Sequence, residues 1–150
     1  MSKIQELEAL LESYDGSIES RYCSLANSVA FIKSLLQEIS WIGFYIKKDS
    51  NLLLGPFQGN IACEKIPFTR GVCGDSYSQK KTINVDNVNL YKNHIACESD
   101  TCSELVIPIK SKSAKMVGVL DIDSKSFSRF KDEEIKMLEE LVEIIGKKLF

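Results

Sequence analysis

The chain has 150 residues, 44% of them hydrophobic and 27% charged, which is the size and composition of one ordinary globular domain with a sizeable buried core. A formal net charge of −2, with lysines scattered among acidic residues, gives no basic field for a phosphate backbone and excludes nucleic acid as an expected partner. Met1 to Gln5 is polar, nothing reads as a signal peptide, and no apolar run approaches the ~20 residues that span a bilayer, so the expectation is a soluble, cytoplasmic protein with no membrane association.

Ser2-Lys3-Ile4-Gln5 fits a capping box, and Ile4, Leu7, Leu11 and Tyr14 recur at helical spacing until Asp15-Gly16 breaks the run. Ser17 restarts the chain, and the rhythm of Ile18, Tyr22, Leu25, Val29, Ile32 and Leu36 predicts a second, longer helix ending at Glu38, so the N-terminal helices fill about residues 2–38. From Trp41 the period becomes two: Ile42, Phe44 and Ile46 fall on one face of a strand and Trp41, Gly43 and Tyr45 on the other. Leu52 to Pro56 reads as a second strand and Ile61 to Ile66 as a third, in an antiparallel meander. Gly71 to Gln79 reads as a loop entering a short helix and Thr82 to Val85 as a strand. Asp86 to Thr101 is a long polar connection holding His94 and Cys97. Glu104 to Lys110 and Lys115 to Asp123 are the last two strands, and Asp132 is the expected cap of a final helix, about residues 132–149, bearing Ile135, Leu138, Val142, Ile145 and Leu149. No repeat or linker divides the chain, so residues 1–150 read as a single α+β domain. Its central antiparallel sheet packs the N- and C-terminal helices on one face and leaves the other, with the loops of about 41–123, for a ligand pocket.

Two groups of residues carry chemistry. In Val117-Gly118-Val119-Leu120-Asp121-Ile122-Asp123 the strand period puts both aspartates on one face, roughly 6 to 7 Å apart. Glu104 opens the neighbouring strand, and an antiparallel turn between residues 110 and 115 brings it beside them. Three acids in one pocket repel one another and raise at least one pKa unless a cation neutralises them, an arrangement that suits an amine ligand with one acid able to donate a proton. Taken alone, solvated strand-end residues are the commoner explanation of such acids; a hard-cation site is a further alternative, weakened by the lack of a compact loop of oxygen ligands.

The second group is sulfur. Five cysteines is an odd number, and in an intracellular chain of this size thiols point to redox chemistry or metal binding more than to structural stapling. Cys63, Cys73 and Cys97 lie in Ala62-Cys63, Gly71-Val72-Cys73-Gly74 and His94-Ile95-Ala96-Cys97-Glu98. A thiolate that accepts an oxygen becomes a sulfenic acid and needs a second thiol to resolve it. Cys73, just before the short helix, is expected to have its pKa lowered by the helix N-terminus, and His94 stands close enough to Cys97 to tune it. Cys23, at the edge of the second helix's apolar stripe, is expected to be a buried hydrophobe. A zinc site drawn from Cys63, Cys73, Cys97, Cys102 and His94 stays open, ranked below redox chemistry because no Cys-x-x-Cys pair is present. Trp41 and Tyr45, opposite the core-facing set of the first strand, are candidates for a pocket wall, although strand aromatics are usually core.

Together these segments resemble a known family. Trp41-Ile42-Gly43-Phe44-Tyr45, Leu54-Gly55-Pro56-Phe57-Gln58-Gly59, Ala62-Cys63, Ile66-Pro67-Phe68, Gly71-Val72-Cys73-Gly74, His94-Ile95-Ala96-Cys97, Ser103-Glu104-Leu105-Val106-Ile107-Pro108 and Gly118-Val119-Leu120-Asp121-Ile122-Asp123-Ser124 are similar to the free methionine-R-sulfoxide reductases, which are single GAF domains. The resemblance runs in order from about residue 22 to the C-terminus. It implies a GAF-like fold and thiol-dependent reduction of free L-methionine-R-sulfoxide without a metal or organic cofactor. It also implies a thioredoxin-like reductant and, as is common in the family, a homodimer. It makes Cys97 the nucleophile, Cys63 the resolving thiol and Cys73 an auxiliary redox thiol. Glu104, Asp121 and Asp123 become contacts for the substrate's ammonium and sulfoxide, and Trp41 and Tyr45 the wall around its S-methyl end. Cys102 departs from the family pattern and reads as a surface cysteine, with a second resolving thiol as the alternative. The competing reading is a non-enzymatic GAF module that senses a small ligand or redox state.

Overall fold

The computed structural model describes residues 1–97 and 100–150; Glu98, the end of the His94 to Glu98 segment, and Ser99 lie outside the described residues. Helix α1 (Lys3–Leu10) begins with the expected capping box, in which Ser2 accepts from the Gln5 N–H and the Gln5 side chain accepts from the Ser2 N–H. Helix α2 (Ile18–Leu35) starts at its Ser17 cap, and strands β1 (Trp41–Lys48), β2 (Asn51–Gln58) and β3 (Lys65–Pro67) follow. Next come helix α3 (Gly71–Gln79), strand β4 (Ile83–Val85), strands β5 (Ser103–Lys110) and β6 (Met116–Ser124), and helix α4 (Asp132–Leu149). The strands form one antiparallel sheet in the order β3-β2-β1-β6-β5-β4.

Alternation along the central strands divides the molecule into two cores. Ile42 and Phe44 of β1, Leu105, Ile107 and Ile109 of β5, and Leu120 and Ile122 of β6 point to one face. There they meet Leu7 of α1, Leu25, Val29 and Ile32 of α2, and Leu138, Leu141, Val142 and Ile145 of α4. The opposite face carries Trp41, Tyr45, Val106 and Val119, covered by Val72 and Cys73 of α3, Val85 of β4 and Val88 of the long connection. A Cβ on Gly146 would meet the Lys110 carbonyl, so α4 approaches the β5 edge closely because this position is glycine.

The third strand does not run from Ile61: only Lys65–Pro67 pairs with β2, while Ile61 is exposed and the stretch carrying Cys63 turns onto the second face. The Trp41 indole N–H donates to the Asn60 carbonyl at 3.0 Å and helps to fix that departure. Helix α2 ends at Leu35, three residues short of Glu38, which takes a positive φ of 57°. Its buried face is Ser24, Leu25, Ser28, Val29 and Ile32, leaving Ile18, Tyr22 and Cys23 exposed; the expected burial of Cys23 fails because at helical spacing it falls on the side opposite Leu25, Val29 and Ile32. Asp132 is not the cap of α4 but its first residue, with Lys131 in the cap position. Asp132, Glu133 and Glu134 in the first turn and Lys147 and Lys148 in the last complement the helix dipole instead.

Candidate active site

The register of three strands assembles the acids. On β5 and β6, Glu104 stands opposite Asp123 and Val106 opposite Asp121, while β1 sets Trp41 opposite Asp123 and Gly43 opposite Asp121 from the other side. All three carboxyls therefore project to the second face, and all three are buried. Each lines the same small pocket. Tyr45 of β1 and Ile66 of β3 close one side, Gly71, Val72 and Cys73 of α3 another, and the long connection adds His94, Ile95, Cys97 and Thr101.

Burial removes Asp121 and Glu104 from water and neighbouring charge adds repulsion at Asp121, so the proton affinities of these two rise. Asp121 is pushed well above its ordinary value, first by desolvation and then by the charges of Asp123 and Glu104. Burial also raises Glu104, partly offset by hydrogen bonds with Asp121 and Asp123 and by attraction to His94. The solvated strand-end explanation of these residues therefore fails: all three are buried in one cluster, in which burial and neighbouring charge favour the protonated form of Asp121.

The sulfurs divide between two environments. Cys63 and Cys97, 34 residues apart, are joined in a disulfide with an S–S distance of 2.09 Å and a Cα–Cα distance of 5.5 Å. The Tyr45 hydroxyl donates to the Cys63 carbonyl at 2.8 Å, so Tyr45 both lines the pocket and holds the segment that delivers Cys63. Cys73 is buried and unbridged. The lowered pKa expected for it is reversed, because the thiol lies within α3 over the acids, where desolvation and then the charges of Asp121, Glu104 and Asp123 push it well above its usual value. The Cys102 thiol is directed at the Asp100 carbonyl, 3.8 Å away.

With Cys63 and Cys97 bonded to each other, the zinc set drawn from the five sulfur and imidazole ligands is not gathered. Among the described residues the group with metal-ligand spacing is Cys73, Glu104 and Asp121, whose ligand atoms lie within 4.8 Å of one another. Trp41 is absent from the pocket lining: its indole stacks on Tyr45 and Phe57 with ring centroids 5.9 and 5.4 Å apart.

Residues not singled out from the sequence fix the long connection. The Tyr91 hydroxyl donates to Asp75 Oδ2 at 2.6 Å, and Asn93 Nδ2 donates to Asp75 Oδ1 and to the Thr69 carbonyl, both at 3.0 Å. Asp75 belongs to α3, so the segment bearing His94 and Cys97 is strapped to that helix. Thr101 is buried in the pocket wall. Its only signal in the sequence is its place between Cys97 and Glu104.

A disulfide beside a closed cluster of proton-sharing acids is the arrangement expected of a thiol oxidoreductase, and comparison with known proteins agrees. Residues 27–149 match the GAF domain family. The free methionine-R-sulfoxide reductase of Saccharomyces cerevisiae is 41% identical, over 98% of this chain and 87% of its own length. That of Escherichia coli is 44% identical, over 84% and 76%. This chain belongs to the free methionine-R-sulfoxide reductase family of GAF domains. The crystal structure of a family member from Neisseria meningitidis in complex with its substrate superposes with a TM-score of 0.88, at 35% identity over 97% of this chain and 85% of that one. The six-stranded antiparallel sheet with helices on one face and the pocket on the other is thus the GAF fold. Among the described residues no helix is long and apolar enough to cross a membrane.

Proposed function

We propose that this protein reduces free L-methionine-R-sulfoxide to methionine in the cytoplasm, with Cys97 as nucleophile, Cys63 as resolving thiol and a thioredoxin-type dithiol as reductant. The observation that carries the reading is the Cys63–Cys97 disulfide beside the pocket that Glu104, Asp121 and Asp123 line. The acids take the substrate's ammonium, and Tyr45, with Trp41 stacked on it, supports the S-methyl end. The Cys97 thiolate attacks the sulfoxide sulfur while Asp121 protonates the sulfoxide oxygen. Transfer of that oxygen to Cys97 releases methionine and leaves a sulfenic acid, so sulfur is reduced in the substrate and oxidised in the enzyme. The Cys63 thiol displaces water from Cys97 to form the disulfide, and the external dithiol returns both thiols. Cys97 lines the pocket, which supports its role as the attacking sulfur; Cys63 reaches it from the turned segment before β3. Cys73, holding its proton over the acids, is an auxiliary thiol outside this cycle. Activity as a homodimer belongs to the same reading and is checked by the mass in solution.

Mixing the reduced protein with free methionine-R-sulfoxide in the absence of reductant tests the order. Wild type and Cys102→Ser release one methionine per chain and form the disulfide. Cys63→Ser releases one and leaves a sulfenic acid trapped by a dimedone adduct on Cys97. Methionine release from Cys97→Ser would contradict the assignment.

A further inference from the structure

We infer that the Thr101 hydroxyl is a recognition group for the α-carboxylate of the ligand and so selects a free amino acid over a peptide-linked one. The inference rests on the proposed substrate and adds the group that reads its carboxylate. Thr101 is 8% exposed and lines the pocket, and its Oγ1 has no hydrogen-bond partner among the described residues. A buried hydroxyl left unpaired is costly, which marks a position completed by a ligand. The ligand's charges say which part completes it. A zwitterionic amino acid brings an ammonium, matched by Glu104, Asp121 and Asp123, and a carboxylate that those acids repel. Among the described lining side chains, the hydrogen-bond donors outside the acids and thiols are Tyr45, His94 and Thr101, and the Tyr45 hydroxyl is engaged by the Cys63 carbonyl. His94 and Thr101 therefore face the carboxylate. The first turn of α3 at Gly71 and Val72, lining the same pocket, adds the positive end of a helix dipole. Peptide-linked methionine sulfoxide has an amide where this carboxylate stands.

The test compares free L-methionine-R-sulfoxide with its α-carboxamide, which keeps the ammonium and the sulfoxide but carries no carboxylate. In steady-state turnover, Thr101→Val should raise KM for the free amino acid about tenfold or more with kcat within about twofold, leave the carboxamide's KM unchanged, and be rescued by Thr101→Ser. Equal losses for both ligands, or no change for the free amino acid, would overturn the assignment. Calorimetric binding of the two ligands to reduced Cys97→Ser, with and without Thr101→Val, repeats the comparison without turnover. The same selective loss there, in a protein whose wild type turns over neither ligand, would sustain carboxylate recognition by Thr101 and remove the reductase reading. Loss of affinity for both ligands alike would remove the carboxylate assignment alone.

Discussion

Asp121 is where charge, burial and chemistry meet most closely. Its folded-state pKa lies above the ordinary carboxyl value of 3.8, so the native state binds this proton more tightly than the unfolded chain does. That contribution to stability is fully present below about pH 4 and is lost as pH rises through the folded pKa. Asp121→Asn should therefore flatten the fall in thermal midpoint across that window, while lowering turnover about 100-fold by removing the proposed proton donor. An unaltered pH profile of stability would show that the proton resides elsewhere. The convergence of Glu104, Asp121 and Asp123 was legible because a strand's period of two and one antiparallel turn place them together. The state of Cys73 was not, since the same helix start that would lower a thiol's pKa here lies over three carboxylates, a contact between residues 31 to 50 positions apart in sequence.

At the scale of elements, the long connection after β4 owes its placement to Asp75. One carboxylate accepts from both Tyr91 and Asn93, tying the segment that bears Cys97 to α3. Asp75→Ala leaves Tyr91 and Asn93 without this acceptor, a loss on the order of 1.5–3 kcal/mol for a charged hydrogen-bonding group. The expected outcome is slower Cys63–Cys97 disulfide formation after Cys97 is oxidised by the substrate, by about tenfold, with release of the first methionine less affected, as resolved by quenched-flow thiol counting. Equal slowing of both steps would place Asp75 in general stability instead. Helix starts at Ser2 and Ser17 were readable from their capping residues, and β1, β5 and β6 from their alternation. Ile61, Ala62 and Ile66 look strand-like locally and so imply a longer third strand, whereas the Trp41–Asn60 hydrogen bond and the bridge from Cys63 draw that segment off the sheet edge.

For the whole molecule, the sheet separates tasks by face. Helices α1, α2 and α4 bury the larger apolar cluster, and this rigid side holds the register that brings Glu104 opposite Asp123. The second face carries a smaller apolar cluster, and the loops over it supply both half-cystines. This two-faced plan was visible in the residue pattern, because apolar helical stripes at both ends flank strands with two distinct faces. What seals the pocket was not, since α3, the β2–β3 segment and the long connection meet only in three dimensions. On this plan the acids and the disulfide serve one proposed reaction on a free amino acid. NADPH consumption in the presence of thioredoxin and thioredoxin reductase tests it most directly, with free methionine-R-sulfoxide, its S epimer and a peptide-bound sulfoxide as parallel substrates. Turnover is expected with the free R epimer and with neither of the other two; no turnover by protein whose cysteines are shown to be reduced would rule out the reductase and favour a ligand-sensing GAF domain.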